Sequence, residues 1–105
     1  MTPTNRRKAE IAVAMTAISH ERRVRLLCLL SAERGGISFE DLLAKSGMRL
    51  STLTHHLRPM RAAGLIATQR KGHRVLYRLK TAALERAMAD VAAAIPAPAP
   101  LRKAA

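Results

Sequence analysis

A chain of 105 residues, 49% hydrophobic, with 19 Lys and Arg against 7 Asp and Glu and a net charge of +12, makes one small folded domain and excludes a disordered basic tail. One Phe, one Tyr and no Trp exclude a base-stacking platform of several aromatics. A single cysteine, Cys28, excludes an intrachain disulfide and a Cys-x-x-Cys metal site, and so large a basic excess on a folded domain points to a polyanion, nucleic acid first.

The first helix is expected over Asn5–Ile18, with Ile11, Met15 and Ile18 on one face at spacings of four and three. Arg6-Arg7-Lys8 reads as its solvated start, adding a non-specific phosphate contact. The flanking Glu10 and His20-Glu21-Arg22-Arg23, without a small-residue cleavage site, argue against a leader peptide. No apolar run approaches the roughly 20 residues of a membrane span.

Ser19 is the expected N-cap of a second helix over 19–34, ended by Gly35-Gly36. Its broad apolar band, Val24, Leu26, Leu27, Cys28, Leu29 and Leu30, implies burial on more than one side. Within it Cys28 reads as a small buried hydrophobe. The sharper alternative is a redox thiol that, lacking a partner cysteine, responds by a capped thiol, a sulfenic acid or a disulfide between subunits. Arg22, Arg23 and Arg25 partly face water and flank any bound polyanion.

Ser38, with Asp41 three residues on, starts a short third helix to Lys45, and Ser46-Gly47 makes the turn. A fourth helix follows over 50–63 with Gly64 at its C′ position. Strands are expected over 65–70 and Arg74–Leu79 around Lys71-Gly72-His73, with Val75, Tyr77 and Leu79 on one face. Thr81 is the expected cap of a last helix, whose Leu84, Met88 and Val91 form an apolar stripe. Residues 1–95 make the domain, and the Pro/Ala-rich 96–105 an extended mobile tail. The order is mostly α with a small β-hairpin: a winged helix-turn-helix.

On a wheel of 100° per residue, Leu50, Leu53, Leu57 and Met60 of the fourth helix form a core stripe. Ser51, His55 and Arg58 lie opposite, with Thr52 and Thr54 on the flanks. Such side chains suit base edges and phosphates in a major groove about 12 Å wide. Arg70, Lys71, His73 and Arg74 at the hairpin suit a wing on the minor groove or the flanking backbone. Pro59 removes the amide that would bond the His55 carbonyl, late in the helix and past the part that reads DNA.

Ser51-Thr52-Leu53-Thr54-His55-His56-Leu57, continuing to Gly64-Leu65-Ile66, resembles the ArsR family of bacterial winged-helix repressors. The stretch from Ala17 to Leu27 resembles that family's opening segment, and that from Arg70 to Leu79 its wing. The resemblance implies a homodimer formed by the first and last helices, a palindromic double-stranded DNA operator, and release on a signal. Ile11, Met15, Ile18, Leu84, Met88 and Val91 are then the dimer surface. One departure stands out: Arg49 occupies a position where relatives often carry a capping Ser, so either Ser51 caps the helix from a later start or Arg49 touches a phosphate.

Metal-sensing relatives place Cys-x-Cys where this chain has Ser38-Phe39-Glu40, or Asp and His on the last helix, where it offers Glu85 and Asp90 but no His. His55 and His56 diverge by about 100° on a helix, and His20 and His73 lie in other elements. No metal site, cofactor or catalytic arrangement is therefore expected. The reading is a non-enzymatic, cytoplasmic DNA-binding repressor, held at the nucleoid through DNA and released by a non-metal or redox signal, its effector unidentified. The alternative from another class is a sequence-indifferent DNA- or RNA-binding module.

Overall fold

The computed structural model describes residues 4–95. Residues 1–3 and the expected tail at 96–105 lie outside the described residues. Five helices and three strands follow one another as α1 (Asn5–Ile18), α2 (Glu21–Ser31), β1 (Ile37–Ser38), α3 (Phe39–Ser46), α4 (Leu50–Ala62), β2 (Ile66–Lys71), β3 (Arg74–Leu79) and α5 (Thr81–Ala94).

Capping chemistry sets most of the boundaries. The Thr4 side chain accepts from the Arg7 amide, and the Ser38 hydroxyl from the Asp41 amide at 3.1 Å, which satisfies amides left orphaned at a helix start. Two expected caps are wrong. Ser19 closes α1, its hydroxyl donating to the Thr16 carbonyl, while His20 caps α2 by accepting the Arg22 amide at Nδ1. Thr81 is the first residue of α5, behind Lys80, which makes no side-chain cap bond. At the end of α4 the Leu65 amide bonds the Met60 carbonyl and the Gly64 amide the Arg61 carbonyl. With Gly64 at φ +75° this is a Schellman motif, and its apolar contact is supplied by the buried Leu65 and Met60.

The sheet is antiparallel in the order β1-β3-β2. Strand β1 is two residues long, pairing Ile37 with Tyr77 and Ser38 with Leu76; so short a run carries no alternation to read. Gly36, at φ +96°, brings the chain onto β3 so closely that a Cβ there would meet the Leu76 Cβ at 3.3 Å. Strands β2 and β3 pair from Ile66–Leu79 to Lys71–Arg74, leaving Gly72-His73 as a two-residue turn. Gly72 has φ +61° and no other residue of the turn has a positive φ, the sign pattern of a type II′ hairpin turn.

Leu26 and Leu30 of α2, Leu42 of α3, Leu53, Leu57 and Met60 of α4, and Ile37, Leu65 and Ile66 beside the sheet form one core with Ala17. Each fully buried Leu contributes about 1.5–3 kcal/mol of transfer free energy. Helix α2 is buried on one side only, contrary to its apolar band: it ends at Ser31 rather than Arg34, and Val24 and Cys28 are exposed. Helix α1 packs against α2, α4 and α5, so it meets both the reading helix and the last helix.

Candidate nucleic-acid interface

Helix α4 buries Leu53, His56, Leu57 and Met60. Leu50, expected in that stripe, is 59% exposed; it sits at the open first turn, and His56 closes the buried arc instead. Ser51, His55 and Arg58 point to solvent as expected, and Thr52 is half-buried. Thr54 is exposed, but its hydroxyl donates to the Leu50 carbonyl at 2.9 Å, leaving oxygen lone pairs and no donor for a base edge. The helix continues past Pro59 to Ala62, so the missing amide falls in its last turns.

Arg49 occupies the N-cap and makes no side-chain cap bond. Helix α4 begins at Leu50, so Ser51 is inside the first turn and does not cap from a later start. The first-turn amides have no side-chain partner, and they stand at the positive end of the helix beside an exposed guanidinium. That combination favours an anion.

At the hairpin tip Arg70, Lys71, His73 and Arg74 are all exposed. Between this wing and α4 lies a cleft of about 500 Å³, walled by Thr54, Arg58 and Arg61 on the helix and by Phe39, Thr68 and Tyr77 opposite. Arg61 was not among the residues expected from sequence. Its signal was present: Thr54, Arg58 and Arg61 follow at spacings of four and three, and the chain has no acidic residue between Asp41 and Glu85 while carrying nine Lys and Arg. Among the described residues none of Arg49, Arg58, Arg61, Arg70, Lys71 and Arg74 enters an ion pair.

The far side of the molecule differs. Met15 and Ile18 of α1 face Met88 and Val91 of α5 across an apolar groove, with Met15 and Met88 exposed. Ile11 is buried within the protomer and Leu84 half-buried against the core, so the exposed part of the expected dimer surface is its Met-rich centre. Arg6 and Arg7 both pair with Glu10, and Arg7 also with Asp90. Asp90 and then Glu10 hold the Arg7 guanidinium even more firmly protonated than usual. The basic start of α1 is therefore no free phosphate site at Arg7.

Cys28 is exposed, which corrects its reading as a buried hydrophobe. His20, expected to stand apart from the α4 histidines, has its ring 4.7 Å from that of His56, and His55 adds a third ring 5.2 Å from His56. Arg23 also departs from a water-facing role: its Nε donates to His56 Nδ1 at 3.2 Å and its Nη1 to the Thr16 carbonyl. Among the described residues no group of three or more His, Cys, Asp or Glu is arranged to hold a metal ion, and no helix is long and apolar enough to cross a membrane.

Helices α3 and α4 joined by a tight turn, followed by a basic hairpin, define a winged helix-turn-helix of the DNA-binding class. Residues 20–68 match the model of the arsR family of bacterial regulatory proteins. The HTH-type transcriptional regulator YgaV of Escherichia coli is 36% identical over 78% of this chain and 82% of its own length. The biofilm growth-associated repressor of Agrobacterium fabrum is 34% identical over 70% of this chain and 62% of its own. Among solved structures, a homodimeric winged helix-turn-helix DNA-binding domain from Mycobacterium bovis superposes with a TM-score of 0.68 at 28% identity, covering 85% of this chain and 83% of that one. HlyU from Vibrio cholerae superposes with a TM-score of 0.67 at 26% identity, covering 82% and 92%. The chain belongs to the ArsR family, whose members are transcriptional regulators rather than enzymes.

Proposed function

We propose that this chain is a homodimeric repressor that binds a palindromic double-stranded DNA operator and leaves it on a non-metal signal. The observation that carries the reading is the row of unpaired cations on α4 and the wing, set around the exposed Ser51 and His55. Ser51, Thr52, His55 and Arg58 contact base edges, with Thr54 limited to accepting. Arg49, Arg70, Lys71, His73 and Arg74 hold phosphates or the minor groove. Two copies joined through Met15, Ile18, Met88 and Val91 present two recognition helices to half-sites about 34–36 Å apart.

Repression, rather than activation, is supported by the repressor from Agrobacterium fabrum; the Vibrio cholerae relative carries the name of an activator. For the signal, the exposed Cys28 thiol is open to an oxidant, and a Cys28→Ser variant that still leaves DNA on oxidation removes it from that role. Footprinting on the DNA upstream of the chain's own gene, with unrelated DNA as competitor, tests the whole reading. A protected palindrome that survives competition is expected. Uniform protection displaced by any DNA would instead establish a sequence-indifferent module.

A further inference from the structure

Helix α1 carries the proposed dimer surface and α4 the proposed reading surface, so their relative placement fixes where two recognition helices stand in a dimer. One side chain from a third element bridges them. Arg23, on α2, donates through Nη1 to the Thr16 carbonyl at the C-terminal end of α1 and through Nε to Nδ1 of His56 inside α4. The first contact adds a charged donor to a carbonyl that the Ser19 amide and hydroxyl already cap, and puts a cation at the negative end of the α1 dipole. The second reaches a ring that is 4% exposed, on the flank of α4 away from the wing cleft.

An imidazole that accepts at Nδ1 carries its proton on Nε2 and is neutral. His20 Nδ1 likewise accepts, from the Arg22 amide at the start of α2. The groups acting on His56 from every side are His20 at the α1–α2 junction, Arg22 and Arg23 on α2, and His55 on α4. None is acidic. Burial foremost, then these neighbours, push His56 below the usual histidine value, and a second proton on its ring would face the Arg23 guanidinium donor to donor.

We propose that Arg23 and His56 are positioning residues, a neutral-imidazole bridge that sets the recognition helix against the dimerising helix and thereby governs operator affinity. The inference rests on the reading of α4 as the DNA-reading helix. It assigns a role in that reading to two residues that lie outside both the proposed reading surface and the proposed dimer surface. Binding to random DNA, which demands no fixed spacing of two helices, does not depend on the bridge.

The test uses the full chain and two substitutions that leave its charge at neutral pH unchanged. His56→Asn keeps an acceptor near the place of Nδ1 and does not titrate; His56→Phe keeps a ring and removes the acceptor. At neutral pH His56→Phe should lose about tenfold in operator affinity, the worth of one charge-assisted hydrogen bond, with random-DNA affinity unchanged, while His56→Asn stays near wild type. Lowering the pH from about 7.5 to about 5 should weaken the operator binding of wild type relative to His56→Asn. Every other side chain is common to the two proteins, so the difference isolates His56. Nitrogen NMR of the free protein gives a readout without DNA: His56 Nδ1 should stay unprotonated and accepting to a pH below the ordinary imidazole value. An ordinary titration of His56 overturns the bridge even if His56→Phe fails to fold. Wild-type operator affinity in a folded His56→Phe overturns the positioning role and leaves the DNA-binding reading standing. If wild type prefers no sequence at all, that reading fails and the inference falls with it, whatever the NMR shows.

Discussion

The α1–α5 face and the α4–wing face treat charge in opposite ways. On the first, Arg6 and Arg7 are neutralised by Glu10 and Asp90 beside an apolar groove of exposed methionines. On the second, among the described residues, every cation of α4 and the wing is left without an acidic partner, and the sequence holds no carboxylate between Asp41 and Glu85. Surface ion pairs are worth little stability, so the pairing on α1 and α5 is better understood as removing repulsion where like meets like. The unpaired charges on α4 and the wing are an attraction held in reserve for an anion. One small domain thus separates the face proposed to meet its own copy from the face proposed to hold DNA.

Salt should act on one face only, and strongly. If the dimer neutralises roughly 6–10 phosphates, operator affinity falls about 10³–10⁵-fold between about 50 and about 200 mM salt, whereas the dimer measured by light scattering persists. A flat response would remove the electrostatic half of the contrast. Breaking the apolar face comes next: Met88→Asp should give monomers and cost about 10²–10⁴-fold in operator affinity, the loss of linkage between two half-sites. A dimeric Met88→Asp variant would move the interface elsewhere.

Removing a single reading side chain has a smaller effect. Arg58→Ala should cost about 1–3 kcal/mol on the operator and relax preference at its base pair, measured with operator variants. Smallest is the pH response of stability. His56 has its folded-state value lowered, so between that value and the ordinary ~6.5 the unfolded chain binds the extra proton and the folded one does not. Its contribution is whole above ~6.5 and is lost as pH falls from there through the lowered value. Urea unfolding of His56→Asn should show a weaker acid loss than wild type, and identical curves would contradict it.

Much of this was legible in the sequence because periodicity and turn chemistry act locally. The apolar spacings of α1 and α5, the Ser38 cap, Gly64 and the hairpin around Gly72 announce themselves within a few residues. What was not legible depends on distant partners. Strand β1 exists because Gly36 lets two residues reach β3. Cys28 is exposed because α2 is covered on one side only, which its composition could not show. His56 lies in a core arc that the wheel alone assigned to Leu50, and its meeting with Arg23 and His20 joins three helices. Arg61 was legible and passed over: the acid-free stretch and the spacing from Thr54 and Arg58 point to it.

The central claim is a division of labour within one face, with polar side chains of α4 choosing the DNA and the wing holding it. Ser51→Ala, His55→Ala and Lys71→Ala, each titrated against operator and random DNA at fixed salt, test it most directly. The expected result is a reduced operator-to-random ratio for Ser51→Ala and His55→Ala, with Lys71→Ala weakening both DNAs about equally. Equal losses on both DNAs for all three variants would contradict it.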